Sequence, residues 1–164
     1  MDPRDLLQHK LAFKTLAGQP EFKNIKRGKL PRPLHKLGGP RVHCTPVITL
    51  SDTHRAVMLW RDGDTLQDTA FYGYLFCCLQ NGDLSPLFEL HWHPSHKGLH
   101  CKTPCRSELN HTGRLLPGAQ EFSISGEAFD PRNPNDLSAL VLLFCDRCGI
   151  TIETDASQRQ LFEQ

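Results

Sequence analysis

The segment His91-Trp92-His93-Pro94-Ser95-His96-Lys97-Gly98-Leu99-His100-Cys101-Lys102-Thr103-Pro104-Cys105, followed by His111, puts five of the chain's nine histidines within twenty-one residues. Each imidazole presents two nitrogens that need partners, and metal, catalysis or solvent supplies those more readily than packing does. On the end of a strand, His91 and His93 project from the same face, where two imidazoles can share a metal or a phosphate. His96 and His100, four residues apart, can join the same pocket, and Lys97 adds a cation for an oxyanion or a scissile phosphate. A metal-free ribonuclease needs one imidazole as base, one as acid and a cation beside the phosphorus, and this loop holds all three types. His91, His93, His96, Lys97 and His100 are therefore the candidate catalytic group of a small nuclease-like hydrolase; the competing reading leaves them solvated on a surface loop. Glu89 and Trp92 are expected on the other side of the sheet from the His91/His93 pair, with Trp92 in the core.

A second chemistry is structural zinc, whose closed tetrahedral sites take four Cys or His ligands as two close pairs. Cys145-Asp146-Arg147-Cys148-Gly149 has the form of one pair: a two-residue spacer lets both sulfurs reach one ion, and the glycine lets the backbone turn. Cys101 and Cys105, with a three-residue spacer, are the leading candidates for the other. Two cysteines on a buried helix, or a redox pair, are the alternatives for Cys145 and Cys148. Seven cysteines, an odd number, fit metal ligands or buried thiols of a reducing, cytoplasmic setting better than complete disulfide pairing. Cys77 and Cys78 are adjacent in an expected strand, so they point to opposite faces and cannot serve one site. No Walker-type glycine loop, Gly-x-Ser-x-Gly elbow or His-Glu-x-x-His helix offers another reaction centre.

Charge divides the chain. Residues 1–42 hold ten Lys/Arg against three Asp/Glu, a net of +7, and residues 43–164 hold nine against fifteen, a net of −6. The cations Lys23, Lys26, Arg27, Lys29, Arg32 and Lys36 are spaced through Pro and Gly. Such an arm suits nucleic acid or an acidic protein surface, or is a solvated linker.

The elements that must position these groups follow from pattern. A chain of 164 residues makes about one domain, and no apolar run reaches the ~20 residues of a membrane span. No apolar signal-peptide core stands out near residue 1. Asp2 to Gly18 reads as a short amphipathic helix, and Gln19 to Arg41 as an extended arm with little regular structure. Val42–Leu50, Arg55–Arg61, Thr65–Leu79 and Leu87–Trp92 read as strands of a meander, with turns at Asp62-Gly63-Asp64 and Asn81-Gly82-Asp83. Glu121–Gly126 is a further possible strand. Leu137–Ile152 reads either as a helix from Asp136 to Arg147, capped by Asn135 and stopped at Gly149, or as two strands meeting at a zinc knuckle. The expected fold is α+β: an antiparallel meander sheet, an N-terminal helix and a Cys/His-rich zinc lobe. The expected organisation is a helix and basic arm over residues 1–41, a globular domain over 42–155 and a polar tail over 156–164.

The stretch Phe88-Glu89-Leu90-His91-Trp92-His93-Pro94, running into Ser95-His96-Lys97-Gly98-Leu99-His100, resembles small bacterial proteins of the TumE-like kind. These are partners in toxin–antitoxin pairs, with a strand, a Pro- and His-rich loop and a C-terminal helix. The resemblance spans residues 87–114 and implies functional roles for His91, His93, His96 and His100, nucleic-acid-directed toxicity or regulation, and a cognate protein partner. The basic arm and the four cysteines after residue 100 depart from that pattern.

Overall fold

The computed structural model describes residues 3–95, 98–104, 111–112 and 129–153. In chain order the elements are α1 (Pro3–Leu11), β1 (Thr15–Ala17), β2 (Lys23–Ile25), a 3-10 turn at Leu34–Lys36, β3 (Gly39–Cys44) and β4 (Ile48–Thr49). There follow β5 (His54–Arg61), a 3-10 turn at Leu66–Asp68, β6 (Ala70–Cys78), β7 (Leu84–His93), β8 (Gly98–Pro104), β9 (His111–Thr112), α2 (Pro134–Cys148) and β10 (Thr151–Glu153). The fold is α+β. One sheet runs in the order β2-β3-β5-β6-β7-β8-β9 with β4 also on β5, and its pairs are antiparallel; β1 and β10 form a separate parallel pair.

The meander β5-β6-β7-β8 arises from period-two alternation, yet its centre is apolar on both faces: Val57, Met58 and Leu59 are all buried. Both faces are covered, which is why the run reads as continuous rather than alternating. On one face α2 lays Leu140, Val141, Phe144, Cys145 and Cys148 against Met58, Phe71, Leu90, Trp92 and Cys101. Gly73 makes this approach possible, since a Cβ there would stand 2.5 Å from the Phe144 ring. The other face carries Val57, Leu59, Tyr74 and Phe76 under Leu30 and Leu34.

Those two leucines change the reading of the basic arm. Gln19 to Arg41 contains β2, the 3-10 turn and the start of β3, and Leu30 and Leu34 pin it to the sheet, although Pro and Gly punctuate it. Val42–Leu50 is two strands, β3 and β4, separated at Pro46. The N-terminal helix stops at Leu11 rather than reaching Gly18. There the buried Lys14 ammonium donates to the carbonyls of His9, Lys10 (3.1 Å) and Ala12 (2.7 Å), satisfying the last turn of α1. The chain then goes extended as β1.

Of the two readings for Leu137–Ile152, the helix is the one found. It starts at Pro134 and is capped by Asn133, not Asn135: the Asn133 side chain accepts from the Asn135 amide at 2.9 Å. Gly149 ends it in the left-handed region, φ 65°, with amide bonds to the Asp146 and Cys145 carbonyls. The possible strand Glu121–Gly126 and the tail 156–164 lie outside the described residues. Among the described residues no helix is long and apolar enough to cross a membrane.

Candidate metal centre

β7 and β8 form the hairpin that builds the site. Alternation sends Glu89, His91 and His93 to one face of β7, and the antiparallel register sets His100 of β8 opposite His91. Gly98, in the left-handed region at φ 61°, pairs with His93 and closes the hairpin turn. Three imidazoles thus converge: His91 and His100 have ring centroids 5.3 Å apart, His93 and His100 4.8 Å, and His91 and His93 6.2 Å. One ring nitrogen from each lies within 4.8 Å of the other two, the arrangement of a group able to hold a metal ion. A tetrahedral ion with bonds of ~2.0–2.1 Å needs nitrogens about 3.3 Å apart, so the rings must close by no more than about 1.5 Å. His93 and His100 are half-buried, and His100 Nδ1–H donates to the Gly98 carbonyl at 3.2 Å.

His91 is the fixed member. It is buried, and its Nε2–H donates to Glu89 Oε2 at 2.7 Å, with both side chains 8% exposed. A carboxylate holding the far nitrogen of a ligating imidazole sets its tautomer and orientation. The expectation that Glu89 faces away from the His pair is therefore corrected: residues 89, 91 and 93 share one parity and one face. Trp92 does lie on the opposite side, in the core with α2. The tyrosines of β6 wall the site: Tyr72 meets His91 edge-on at 4.8 Å and Tyr74 at 6.1 Å. Burial holds both phenols above their ordinary range, Tyr74 well above it. Sequence reasoning placed Glu89 on the wrong face and did not single out the tyrosines; counting by two from His91 brings Glu89 to the site.

The remaining candidates are placed as follows. His96, Lys97 and Cys105 lie outside the described residues. Lys23, Lys26, Arg27, Lys29, Arg32 and Lys36 are all exposed, and the segment that carries them is anchored by Leu30 and Leu34 on the same sheet face as the histidines, across Tyr72 and Tyr74. Cys101 is adjacent to His100 and so points to the opposite face, where it is buried in the same core as Cys145 and Cys148. Cys145 and Cys148 occupy the last turn of α2, three residues apart on its buried side, rather than an exposed knuckle. Burial pushes the thiols of Cys101 and Cys145 up to about 12 and that of Cys148 well above its usual range. Cys77 and Cys78 are half-buried.

A second polar cluster ties α1 to the sheet and was not foreseen. His54, 3% exposed at the start of β5, sets Nε2 3.0 Å from His9 Nδ1. Its Nδ1 lies 3.0 Å from Ser51 Oγ and 3.1 Å from Thr53 Oγ1. Burial, with Lys14, His9 and Arg55 nearby, lowers the His54 pKa to about 4, and burial with Lys14 lowers that of His9. No family model, curated protein or solved structure matches the chain.

Proposed function

We propose that this protein binds one divalent transition-metal ion of the zinc kind through His91, His93 and His100, with Glu89 holding His91, and that its exposed basic segment binds nucleic acid. The observation that carries the reading is the convergence of three imidazole donors on one sheet face. Imidazole is a good ligand for zinc, copper, nickel and iron, and zinc imposes no geometry that three strand-borne histidines would resist. The nucleic-acid part is supported by six exposed cations on a segment that packs against the metal side of the sheet. That chemistry suits the nucleic-acid-directed role implied by the TumE-like resemblance.

Elemental analysis by plasma mass spectrometry, on the native chain and on His93→Ala/His100→Ala, tests the centre. About one metal per chain, lost in the variant, is the expected result; a metal-free native protein after supplementation with zinc removes the proposal. For the basic segment, fluorescence anisotropy with a labelled single-stranded oligonucleotide should show affinity falling steeply with salt, with a log–log slope of about −0.7 per phosphate contacted. Absence of oligonucleotide binding at low salt would turn the assignment to an acidic protein surface.

A further inference from the structure

We infer that the centre keeps one coordination position open to solvent and uses it to bind and hydrolyse a phosphodiester. This rests on the three-histidine metal site proposed above and goes beyond it by assigning the site a reaction.

The argument begins with the sheet. His91, His93 and His100 leave the same face of two paired strands, so their nitrogens reach an ion from one side only. Among the described residues no fourth His, Cys, Asp or Glu joins these three donors. His93 and His100 are half-buried, so solvent reaches part of each side chain. Three protein ligands with a fourth position held by water is the arrangement of hydrolytic rather than structural zinc.

Charge then selects the substrate. Imidazole ligands bring no charge, so an ion held by them alone keeps its double positive charge, and Glu89 is engaged by His91 at 2.7 Å. Arg61 of β5 stands level with His93 but two strands away, and its guanidinium donates to the Asp68 carbonyl at 3.5 Å. With the exposed cations of residues 23–36 on the adjoining surface, the approach to the ion favours an anionic chain over a neutral one.

The chemistry balances with water alone. Water bound to the ion loses a proton to solvent, and the resulting hydroxide oxygen forms a bond to phosphorus. The bond from phosphorus to the leaving oxygen breaks, and that oxygen takes a proton from solvent, giving a phosphomonoester and an alcohol. The ion stabilises the charge that accumulates on the non-bridging oxygens.

The test uses the full chain loaded with one equivalent of cobalt(II), whose visible bands report coordination. Inorganic phosphate should shift those bands saturably, and hydrolysis of bis(p-nitrophenyl) phosphate should require metal, cease with chelator and return when metal is restored. A loaded centre whose bands ignore phosphate and azide has a closed fourth position and overturns the inference while leaving the metal site intact. Phosphate binding without turnover overturns the hydrolytic step. Failure of cobalt and zinc to bind at all overturns the metal reading itself. His100→Gln, chosen because His100 is half-buried and its replacement retains hydrogen-bonding atoms, should lose turnover by more than about tenfold with its thermal transition retained; full turnover in that variant excludes His100 and overturns the site as drawn.

Discussion

Acidification from pH about 7.5 to about 4.5 should weaken this fold through one residue, His54. In the folded chain its imidazole is held neutral: burial disfavours the charged form, and Lys14, His9 and Arg55 add repulsion. Its pKa falls from 6.5 to about 4. Above pH about 6.5 folded and unfolded states are both neutral here and the contribution is whole. As pH drops the unfolded state takes up a proton that the folded state refuses, so stability falls until pH passes about 4. A difference of about 2.5 units at 1.36 kcal/mol each amounts to about 3 kcal/mol in all, of which about 2 kcal/mol is gone by pH about 5. That is a large share of the ~5–15 kcal/mol that holds a typical domain together. His9, lowered in the same direction, adds to the loss. Urea denaturation followed by tryptophan fluorescence across this range, on the native chain and on His54→Gln, isolates the term, because glutamine keeps hydrogen-bonding capacity without titrating. The native curve should fall more steeply with acid than the variant's, by about 2 kcal/mol at pH about 5. Parallel curves would refute the reasoning.

Other expectations follow from the same contacts. Gly73→Ala would put a methyl group against the Phe144 ring, where no space exists, and should cost about 1–3 kcal/mol in thermal or urea denaturation. Gly149→Ala combines a left-handed φ of 65° with a Cβ 2.2 Å from the Lys10 carbonyl oxygen, and should destabilise by about 1–3 kcal/mol in the same assay, loosening α1 from α2. Zinc at one hundred times its dissociation constant should raise stability by about 2.7 kcal/mol, and Glu89→Gln should reduce metal affinity about 10–100-fold in a competition titration. Reversing Lys29, Arg32 and Lys36 to Glu should weaken oligonucleotide binding and flatten its salt dependence without moving the thermal transition, since all three side chains are exposed.

The meander was legible because β5, β6 and β7 keep strand composition between strong turn residues, and the histidine face was legible from period two alone. What escaped was long-range or degenerate. Glu89 was assigned to the wrong face although its spacing from His91 equals that between His91 and His93. Leu30 and Leu34, two apolar residues in a Pro-, Gly- and Lys-rich stretch, carry no periodic signal, yet they fix the basic segment on the sheet. The His9–His54 contact joins residues 45 apart and is created only when α1 docks. Cys145 and Cys148 were ambiguous for a physical reason: a spacing of three is both the reach of a two-thiolate knuckle and one turn of a helix. Asn133 and Asn135 are both capable caps, and the bond from the Asn135 amide to the Asn133 side chain decides between them.

The sheet also separates the two groups that could ligate a metal. His100 and Cys101 are neighbours in β8, so the strand divides histidines from cysteines, imidazoles on the half-open face and thiols in the core beneath α2. Thiolate is the stronger zinc ligand, but it must first be made. Burial pushes the Cys101 and Cys145 thiols up to about 12, which disfavours the thiolate at pH about 7. Cys148 is harder still to ionise. Burial therefore works against thiolate ligation here, whereas imidazoles bind without losing a proton. The outcome separates cleanly: Cys145→Ser/Cys148→Ser should keep its full complement of metal. It should lose about 1–3 kcal/mol of stability per site, because each hydroxyl enters an apolar core in place of a thiol. Loss of metal from that variant while it remains folded would move the centre to the cysteine side of the sheet and overturn the assignment to His91, His93 and His100.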